Sequence, residues 1–495
     1  MDYMKMAVNC KTANHVPITD GDIQSTTSQN DDHADQPRDP HTMGKKINEY
    51  QALMSLIKGN IGTGILSMPV VLRYAGLWVN LYLYFSYFQD WVYYDYSIRD
   101  FVNLLNACSF ENCQCSSAKV CVHESHLFIS ESYRHNWDRS KMDYAETAFL
   151  VLKYGPERLR KPKGKLKHTV NGFLILTQVG SCCVYTLFIT ENIRYFLISF
   201  FPHLTLNVYL VGFIVCLILI LMNFKSSMRV VTYLSGLANI CTAIGMILIF
   251  IYLFTSGLHS IYEFPAITNF NGLLIAFSIV MFSFEGISLV LPIQSKMIDP
   301  TGYGLPFGVL TTGMIIVVCM NVAVGFYGFL KFGEESEGSI TLNIPQVPYW
   351  FAPVKPLFII AMFVSYLLQY YVPAQIFSRL MEKLTCHHDA SGRRRYINLK
   401  LMRISLVIFS YAAAVLIPRL DLLLSLIGSL AGSTLAFILP ATLEIIFLWP
   451  NRQQISWFWL TVFTKHIIFI SIGLLSCFGG LIATIIQIIE AFRSK

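Results

Sequence analysis

Long apolar runs recur along the chain from about residue 50 to the C-terminal end, and polar segments separate them. Each run holds on the order of 20 residues, the length that an α-helix needs to cross the hydrocarbon core of a bilayer. The runs lie at residues 50–74, 77–98, 170–200, 207–223, 230–254, 270–292, 307–330, 352–378, 401–417, 421–444 and 466–490. This pattern predicts an all-α integral membrane protein with 11 transmembrane helices, which we number in chain order.

The second run is the least apolar, because Asp90 and Asp95 lie among its aromatic residues. Each aspartate costs about 3 kcal/mol at the centre of a membrane helix. The basic loops nevertheless require this helix. They are the 99–168 loop and every second loop after it, and the positive-inside rule places them all in the cytosol together with the N-terminus. An even number of crossings must therefore precede residue 99, and the C-terminus lies outside.

Composition agrees with a membrane protein. Hydrophobic residues make up 54% and charged residues 14% of the chain, and the mean hydropathy is +0.51, whereas soluble domains carry about a quarter charged residues. The net charge of +7 is modest and lies in loops without an aromatic-interleaved basic stripe, so the expected surroundings are the lipid bilayer and not nucleic acid. The first 47 residues are polar, without a signal peptide, and predict a disordered cytosolic tail.

Predicted helix 1 contains three glycines and a proline between residues 58 and 69. An interior Gly costs roughly 1 kcal/mol and a Pro about 3 kcal/mol in a helix, so the segment is expected to be interrupted. Irregular backbone at membrane depth is tolerated where it is buried or lines a cavity. We predict that its free amides and carbonyls bind a substrate; the candidate residues are Gly59, Asn60, Ile61, Gly62, Thr63 and Gly64. The alternative is close helix packing, but these glycines are clustered too tightly for one packing face.

Predicted helix 6 has a second interruption at residues 282–286, and Pro292 lies near its end. It comes five helices after the first, so helices 1–5 and 6–10 are predicted to form a five-plus-five inverted repeat. Paired broken helices point to a binding site at the membrane midplane. The expected organisation is a tail at 1–47, a first repeat at 48–254 that includes the cytosolic loop 99–168, a second repeat at 255–444, and a cytosolic segment with helix 11 at 445–495.

The second interruption supplies a carboxylate, Glu285, in the middle of an apolar helix. Removal from water favours a neutral carboxyl group, so Glu285 is the candidate proton-coupling residue. An ammonium partner, or a structural acid paired with a basic group, is the alternative. Ser283 and Phe284 are expected at the ammonium end of the substrate, and Tyr185 of helix 3 is expected to reach the cavity unless it serves as a contact between helices.

Motifs of enzymes are missing from the sequence. It contains no phosphate-binding P-loop, no Gly-x-Ser-x-Gly and no His-Glu-x-x-His. Cysteines and histidines in the 99–168 loop match no standard zinc spacing. We therefore expect neither an enzyme nor an ATP-driven pump, and no cofactor or metal. Lys465 and His466 begin helix 11 and are expected to anchor it at the membrane interface.

Five stretches together resemble the proton-coupled amino acid transporters of the amino acid/auxin permease superfamily. They are residues 56–64, 178–185, 282–292, 338–343 and 417–421. The resemblance implies the same 11-helix fold with broken helices 1 and 6. It also implies transport of small neutral amino acids, often with a proton, at the plasma membrane or from lysosomes. Two departures concern proton coupling: residues 77–107 lack the histidine of the family's helix 2, and Gln375 stands where an acid is common.

The sequence thus predicts a secondary active transporter of small neutral amino acids that alternates access around helices 1 and 6 and symports protons. It is expected in the plasma membrane or a lysosomal or endosomal membrane. An alternative from another class is a sensor that binds an amino acid without moving it and signals through cytosolic partners. A third is an inactive relative with an altered helix 2. The sequence identifies no protein partner.

Overall fold

The computed structural model describes most of the predicted membrane region. Described are residues 47–77, 145, 148–149, 151–152, 156, 163–203, 206–225, 228–255, 257–284, 293–294, 297–299, 301–303, 308–345, 349–385, 392–417, 419–449, 452–453 and 457–493. The predicted tail up to residue 46, nearly all of predicted helix 2, most of the 99–168 loop and Glu285 lie outside the described residues.

The described residues are helical almost throughout. The helices are α1 (Glu49–Asn60), α2 (Thr63–Leu66), α3 (Met68–Ala75), α4 (Lys163–Phe200), α5 (Val208–Lys225), α6 (Met228–Thr255), α7 (Phe270–Ser283), α8 (Val309–Phe332), α9 (Ile340–Asn343), α10 (Val354–Thr385), α11 (Gly392–Leu416), α12 (Leu420–Ile427), α13 (Leu439–Leu448), α14 (Thr464–Leu474) and α15 (Gly480–Arg493). Among these residues the only β-type pairing is an isolated bridge between Ile47 and Met297.

Short 3₁₀ and π turns connect several helices. The 3₁₀ turns are Ile261–Glu263, Thr301–Tyr303, Gly333–Glu335 and Tyr349–Phe351. Two π turns, Gly428–Gly432 and Thr434–Ile438, join α12 to α13. Another, Trp459–Phe463, precedes α14, and the last, Leu475–Gly479, joins α14 to α15. Segments α1 to α3 correspond to predicted helix 1, α7 to the first part of helix 6, α12 and α13 to helix 10, and α14 and α15 to helix 11.

Seven helical spans in the described part of the chain are long and apolar enough to cross a membrane. They are Leu166–Phe200, Leu234–Thr255, Val309–Glu335, Tyr349–Ser378, Ile397–Leu416, Leu420–Ile446 and Thr464–Arg493. Val208–Asn223 and Phe270–Ser283 are shorter apolar helices. The prediction of a helical, multi-pass membrane protein is confirmed, while the count of 11 and the inverted repeat remain predictions.

Helix boundaries differ from the hydropathy boundaries where polar residues continue a helix. Helix α4 begins at Lys163, before its apolar run, and α10 extends to Thr385, beyond residue 378. Hydropathy marks only the part of a helix that matches the bilayer, whereas Lys, Arg, Glu and Leu are good helix formers in water as well. These helices therefore continue past the apolar span.

Packing encloses the interrupted segment. Helix α10 lies against both α4 and α6, and α3 packs against α7 and α8. The short helix α2 contacts α4, α7 and α8. Large side chains such as Phe188 of α4 and Tyr366 of α10 are fully buried in this bundle. The segment from α1 to α3 thus lies inside the protein, which is where irregular backbone is tolerated at membrane depth.

Candidate functional site

The chain of predicted helix 1 is interrupted twice. Helix α1 ends at Asn60, and the next two residues leave the helical region, with φ −90° and ψ 87° at Ile61 and φ −129° and ψ −148° at Gly62. After the single turn α2, Ser67 separates it from α3. Pro69 occupies the first turn of α3, where its missing N–H group costs no intrahelical hydrogen bond. The predicted interruption is therefore present in the structure.

Two buried side-chain oxygens flank this interruption without a hydrogen-bond partner among the described residues. They are Asn60 Oδ1 and Thr63 Oγ1, on side chains that are only 3% and 1% exposed. The Asn60 amide nitrogen is satisfied, since it donates to the Leu56 carbonyl at 2.9 Å. A buried acceptor left without a donor costs about 1–3 kcal/mol. Both oxygens are therefore suited to accept hydrogen bonds from a bound donor.

Tyr185 of α4 lies against the break, while its role in binding a substrate stays a prediction. A Cβ atom placed on Gly62 would be 3.3 Å from the Tyr185 hydroxyl oxygen. The Tyr185 side chain is buried. Thr177, two turns earlier on the same helix, donates its hydroxyl to the Phe173 carbonyl at 2.9 Å.

The two predicted interruptions meet in space. A Cβ atom on Gly64 would be 2.5 Å from Ser283 Cα and 2.8 Å from Ser283 Cβ, so only a glycine allows this approach. Helix α7 ends at Ser283, and Phe284 follows with φ −96° and ψ 29°. Both residues are buried. The structure thus brings Gly62, Gly64, Tyr185 and Ser283 together, while Glu285 lies outside the described residues.

Lys58 places a cation beside the break that the sequence prediction had not used. Its Nζ atom donates to the Thr242 hydroxyl of α6 at 3.1 Å. The Thr242 hydroxyl in turn donates to the Ala238 carbonyl at 2.8 Å. A lysine in an apolar helix is a sequence signal for function, but its partner on α6 becomes visible only when the helices are packed.

At the far end of α3, a charged cluster joins this segment to the start of α12. The buried Asp421 carboxylate accepts hydrogen bonds from the Tyr74 hydroxyl and from Arg419 Nη2, both at 2.6 Å, and Arg73 Nη2 lies 3.7 Å away. Arg73 also donates to the Ser336 carbonyl. Burial acts against the charged form of Arg419, but the Asp421 carboxylate outweighs it and raises the pKa of Arg419.

His466 corrects one expectation. It is 1% exposed and lies 2.9 Å from the Glu444 carboxylate of α13, so it is not an interface anchor. The helix begins earlier than its apolar run, since Phe458 and the π turn Trp459–Phe463 precede Thr464. His466 therefore lies about two turns beyond the start of the helical segment, inside the bundle.

A separate cavity lies between α5 and α11. Its volume is about 30 Å³, and it is lined by Ile220, Asn223, Lys400, Arg403, Ile404 and Val407. None of the residues at the two interruptions lines it. It is therefore distinct from the candidate substrate site.

Comparison with known proteins identifies the family of this chain. The family model described as "Transmembrane amino acid transporter protein" matches residues 116–486. The probable amino acid transporter skat-1 of Caenorhabditis elegans is 26% identical over 92% of this chain and 93% of its own length. The proton-coupled amino acid transporter-like protein pathetic of Drosophila melanogaster is 26% identical over 90% of this chain and 86% of its own.

The family match begins after the first interruption, whereas the two relatives align over nearly the whole chain. The family and both relatives are transporters and not enzymes, as the sequence predicted. The chain belongs to the transmembrane amino acid transporter family, within the amino acid/auxin permeases.

Proposed function

We propose that the protein is a secondary active transporter of small neutral amino acids that works by alternating access and symports protons. The observation that carries the proposal is the contact of the two interruptions, where Gly64 lies directly on Ser283. Two buried oxygens without a partner in the described structure, Asn60 Oδ1 and Thr63 Oγ1, lie on the first of these interruptions. A substrate site between broken helices is the arrangement used by many secondary transporters.

The chemistry of the site suits a zwitterion. The interrupted backbone of residues 59–64 offers amide groups to the substrate carboxylate. Asn60 Oδ1 and Thr63 Oγ1 offer acceptors to the ammonium group. A substrate with an uncharged side chain brings no further charge that would need a partner in a low-dielectric site.

The substrate is small because the site has little room. Tyr185 approaches Gly62 so closely that even a methyl group there would be 3.3 Å from its hydroxyl. Phe284 is buried next to Ser283. A large side chain would have to displace one of these aromatic rings, which favours glycine, alanine and similar amino acids over aromatic ones.

Alternating access needs contacts that can open at one end of the site. The Asp421 cluster has this property, because it joins the end of α3 to the start of α12 through hydrogen bonds and charge. Half-exposed partners such as Arg419 can take up water when the contact opens. We propose that this cluster closes the outward end, with the N-terminus in the cytosol and helices 1–5 and 6–10 related as inverted repeats.

Proton symport is supported by the Drosophila relative, whose name describes it as proton-coupled. Glu285, which follows the last described residue Phe284, is the proposed titrating group. The membrane is proposed to be the plasma membrane or a lysosomal or endosomal one.

Exchange of labelled amino acids in proteoliposomes tests the proposal. The full-length protein is reconstituted, loaded with unlabelled alanine, and assayed for entry of labelled alanine, glycine, proline and phenylalanine at two pH values. Exchange of the small neutral substrates, with less or none of phenylalanine, is expected. Binding without exchange would support the sensor instead, and neither binding nor exchange would indicate an inactive relative.

A further inference from the structure

A buried pair of titratable side chains lies away from the substrate site, between the last helices of the bundle. Glu444 of α13 and His466 of α14 are 3% and 1% exposed, and His466 Nε2 is 2.9 Å from Glu444 Oε2. In the described part of the chain, His466 is the only buried histidine. Burial of a carboxylate and an imidazole inside a helical bundle is costly and marks a functional candidate.

The hydrogen bond of the other ring nitrogen of His466, Nδ1, determines which tautomer the imidazole adopts. His466 Nδ1 lies 2.6 Å from the Val462 carbonyl oxygen. A carbonyl can only accept, so Nδ1 carries a hydrogen and donates it. Nε2 and Glu444 Oε2 have no hydrogen-bond partner in the described part of the chain, so one further proton is left for this pair to hold. With that proton, the pair is neutral whether the proton sits on the imidazole or on the carboxyl group.

No second charged pair in the neighbouring described elements offsets this one. The elements packed on α13 and α14 are the π turns Thr434–Ile438, Trp459–Phe463 and Leu475–Gly479. Their only titratable group is Cys477, and α14 itself adds Lys465, which lies on a half-buried face of the helix. Leu448, Phe458 and Val462 form an apolar cluster near the pair. Loss of the proton would therefore leave a buried net charge, which is strongly unfavourable unless water reaches it.

The helix that carries Glu444 is linked mechanically to the substrate site. Gly428 and Gly432 of its π turns pack on α7: a Cβ atom on Gly428 would be 1.9 Å from the Ser278 carbonyl oxygen, and one on Gly432 would be 3.2 Å from Met281 Cβ. Helix α7 ends at Ser283, which contacts Gly64. π turns are frequent at functional sites and locally irregular. Movement of α7 would thus be transmitted to the segment that leads into α13, and α7 also packs on the π turn Leu475–Gly479 that follows α14.

We propose that Glu444 and His466 form a second proton-binding site of the transport cycle, which holds one proton while α13 and α14 are packed together and releases it to water when they separate. The step breaks one N–H or O–H bond and transfers the proton to water, with no other reactant. Because a buried pair cannot lose its proton without hydration, release is tied to a conformational change, as coupling requires. This inference rests on the proposed proton symport.

The test compares two assays on the full-length protein in proteoliposomes. One is exchange of labelled alanine at equal pH, which needs no net proton movement. The other is accumulation of alanine driven by an acidic external buffer. A pH-sensitive dye trapped inside the proteoliposomes reports the entry of protons. The variants are Glu444→Gln and His466→Gln. The matched control is Glu263→Gln, because Glu263 and His259 form a similar pair at 3.3 Å that is exposed on the surface.

The expected result is that both variants of the buried pair keep exchange near the wild-type rate but lose accumulation and dye acidification, falling to the level measured without a pH gradient. The control variant should resemble the wild type in both assays. Acid-driven accumulation that is retained in Glu444→Gln and His466→Gln would overturn the inference and leave the pair a static contact. Wild-type protein that exchanges alanine but shows no acid-driven accumulation would refute the symport itself.

A conservative variant covers the case in which the Gln variants fail to insert. Glu444→Asp keeps a carboxyl group but shortens its reach to His466 Nε2. If the pair carries the proton, acid-driven accumulation of alanine by the Glu444→Asp variant should reach half-maximum at a pH that differs from that of the wild type. Its exchange of alanine at equal pH should be unchanged. An unchanged pH profile in correctly inserted Glu444→Asp protein would overturn the proposal.

Discussion

The contact between Gly64 and Ser283 allows a quantitative prediction for Gly64→Ala. The added Cβ atom would lie 2.5 Å from Ser283 Cα, which is backbone and cannot rotate away. Carbon atoms pack at about 3.5–4.0 Å, so α2 and α7 would have to separate by about 1 Å. Overpacking of this kind costs typically 1–3 kcal/mol.

The functional loss should exceed the loss of stability, because the displaced atoms belong to the proposed site. A misplacement of about 1 Å at a site of this kind can reduce rates by about 100-fold. We therefore expect Gly64→Ala to lower alanine exchange by about 10- to 100-fold, while its thermal unfolding in detergent shifts by only a few degrees. Exchange is measured at several alanine concentrations, so that affinity and maximal rate are separated.

Two glycine variants serve as controls for Gly64→Ala. Gly236→Ala adds the same methyl group to an exposed helical position with nothing within 4 Å, and it should leave exchange unchanged. Gly62→Ala meets only the end of the Tyr185 side chain at 3.3 Å, so its effect should be intermediate. If Gly64→Ala exchanges alanine like the wild type, the two interruptions do not form the substrate site, and the glycine is only a packing device.

Further predictions concern single polar groups. Tyr185→Phe removes the hydroxyl that faces Gly62, and a lost hydrogen bond of about 1 kcal/mol should weaken apparent alanine affinity by roughly 5-fold in an exchange assay. Asp421→Asn removes the charge that Arg419 and Tyr74 share, and it should lower the thermal unfolding temperature in detergent, with Glu263→Gln as the exposed control. Glu285→Gln should abolish the acceleration of uptake at acidic pH; unchanged pH dependence in inserted protein would exclude Glu285 as the titrating group.

The interruptions could be predicted from sequence because their cause is local. Glycine and proline have intrinsic costs in a helix, so their cluster before Pro69 signals a break without any knowledge of the fold. The end of α7 at Ser283 follows from the same kind of pattern. Their contact in space was a weaker inference, since it depended on the five-helix spacing between them.

Partners from distant segments could not be predicted in this way. Tyr74 and Asp421 are 347 residues apart, and the sequence around either residue does not predict that it contacts the other. The same holds for Lys58 and Thr242, which are separated by 184 residues. Such pairs depend on which helix faces meet, and these faces are nearly featureless in the sequence because membrane helices are apolar all round.

His466 shows how a boundary error becomes an error of function. Hydropathy starts helix 11 at this residue, which suggests a polar group at the membrane edge. The helix in fact includes Phe458 and the following π turn, so His466 lies deeper and faces Glu444. The predicted start of helix 11 was about two turns too late. His466 was therefore expected to be an interface anchor, although it is one member of a buried pair.

The segment from α12 to α13 connects the features that have a proposed role. Asp421 lies in its first turn, within the cluster that holds α3. Its π turns place Gly428 against α7, and Glu444 near its end faces His466. A rigid α-helix would transmit a displacement uniformly, whereas two consecutive π turns allow its halves to move separately. The two movements proposed above, opening of the Asp421 cluster and separation of Glu444 from His466, can then occur at different steps of the proposed cycle.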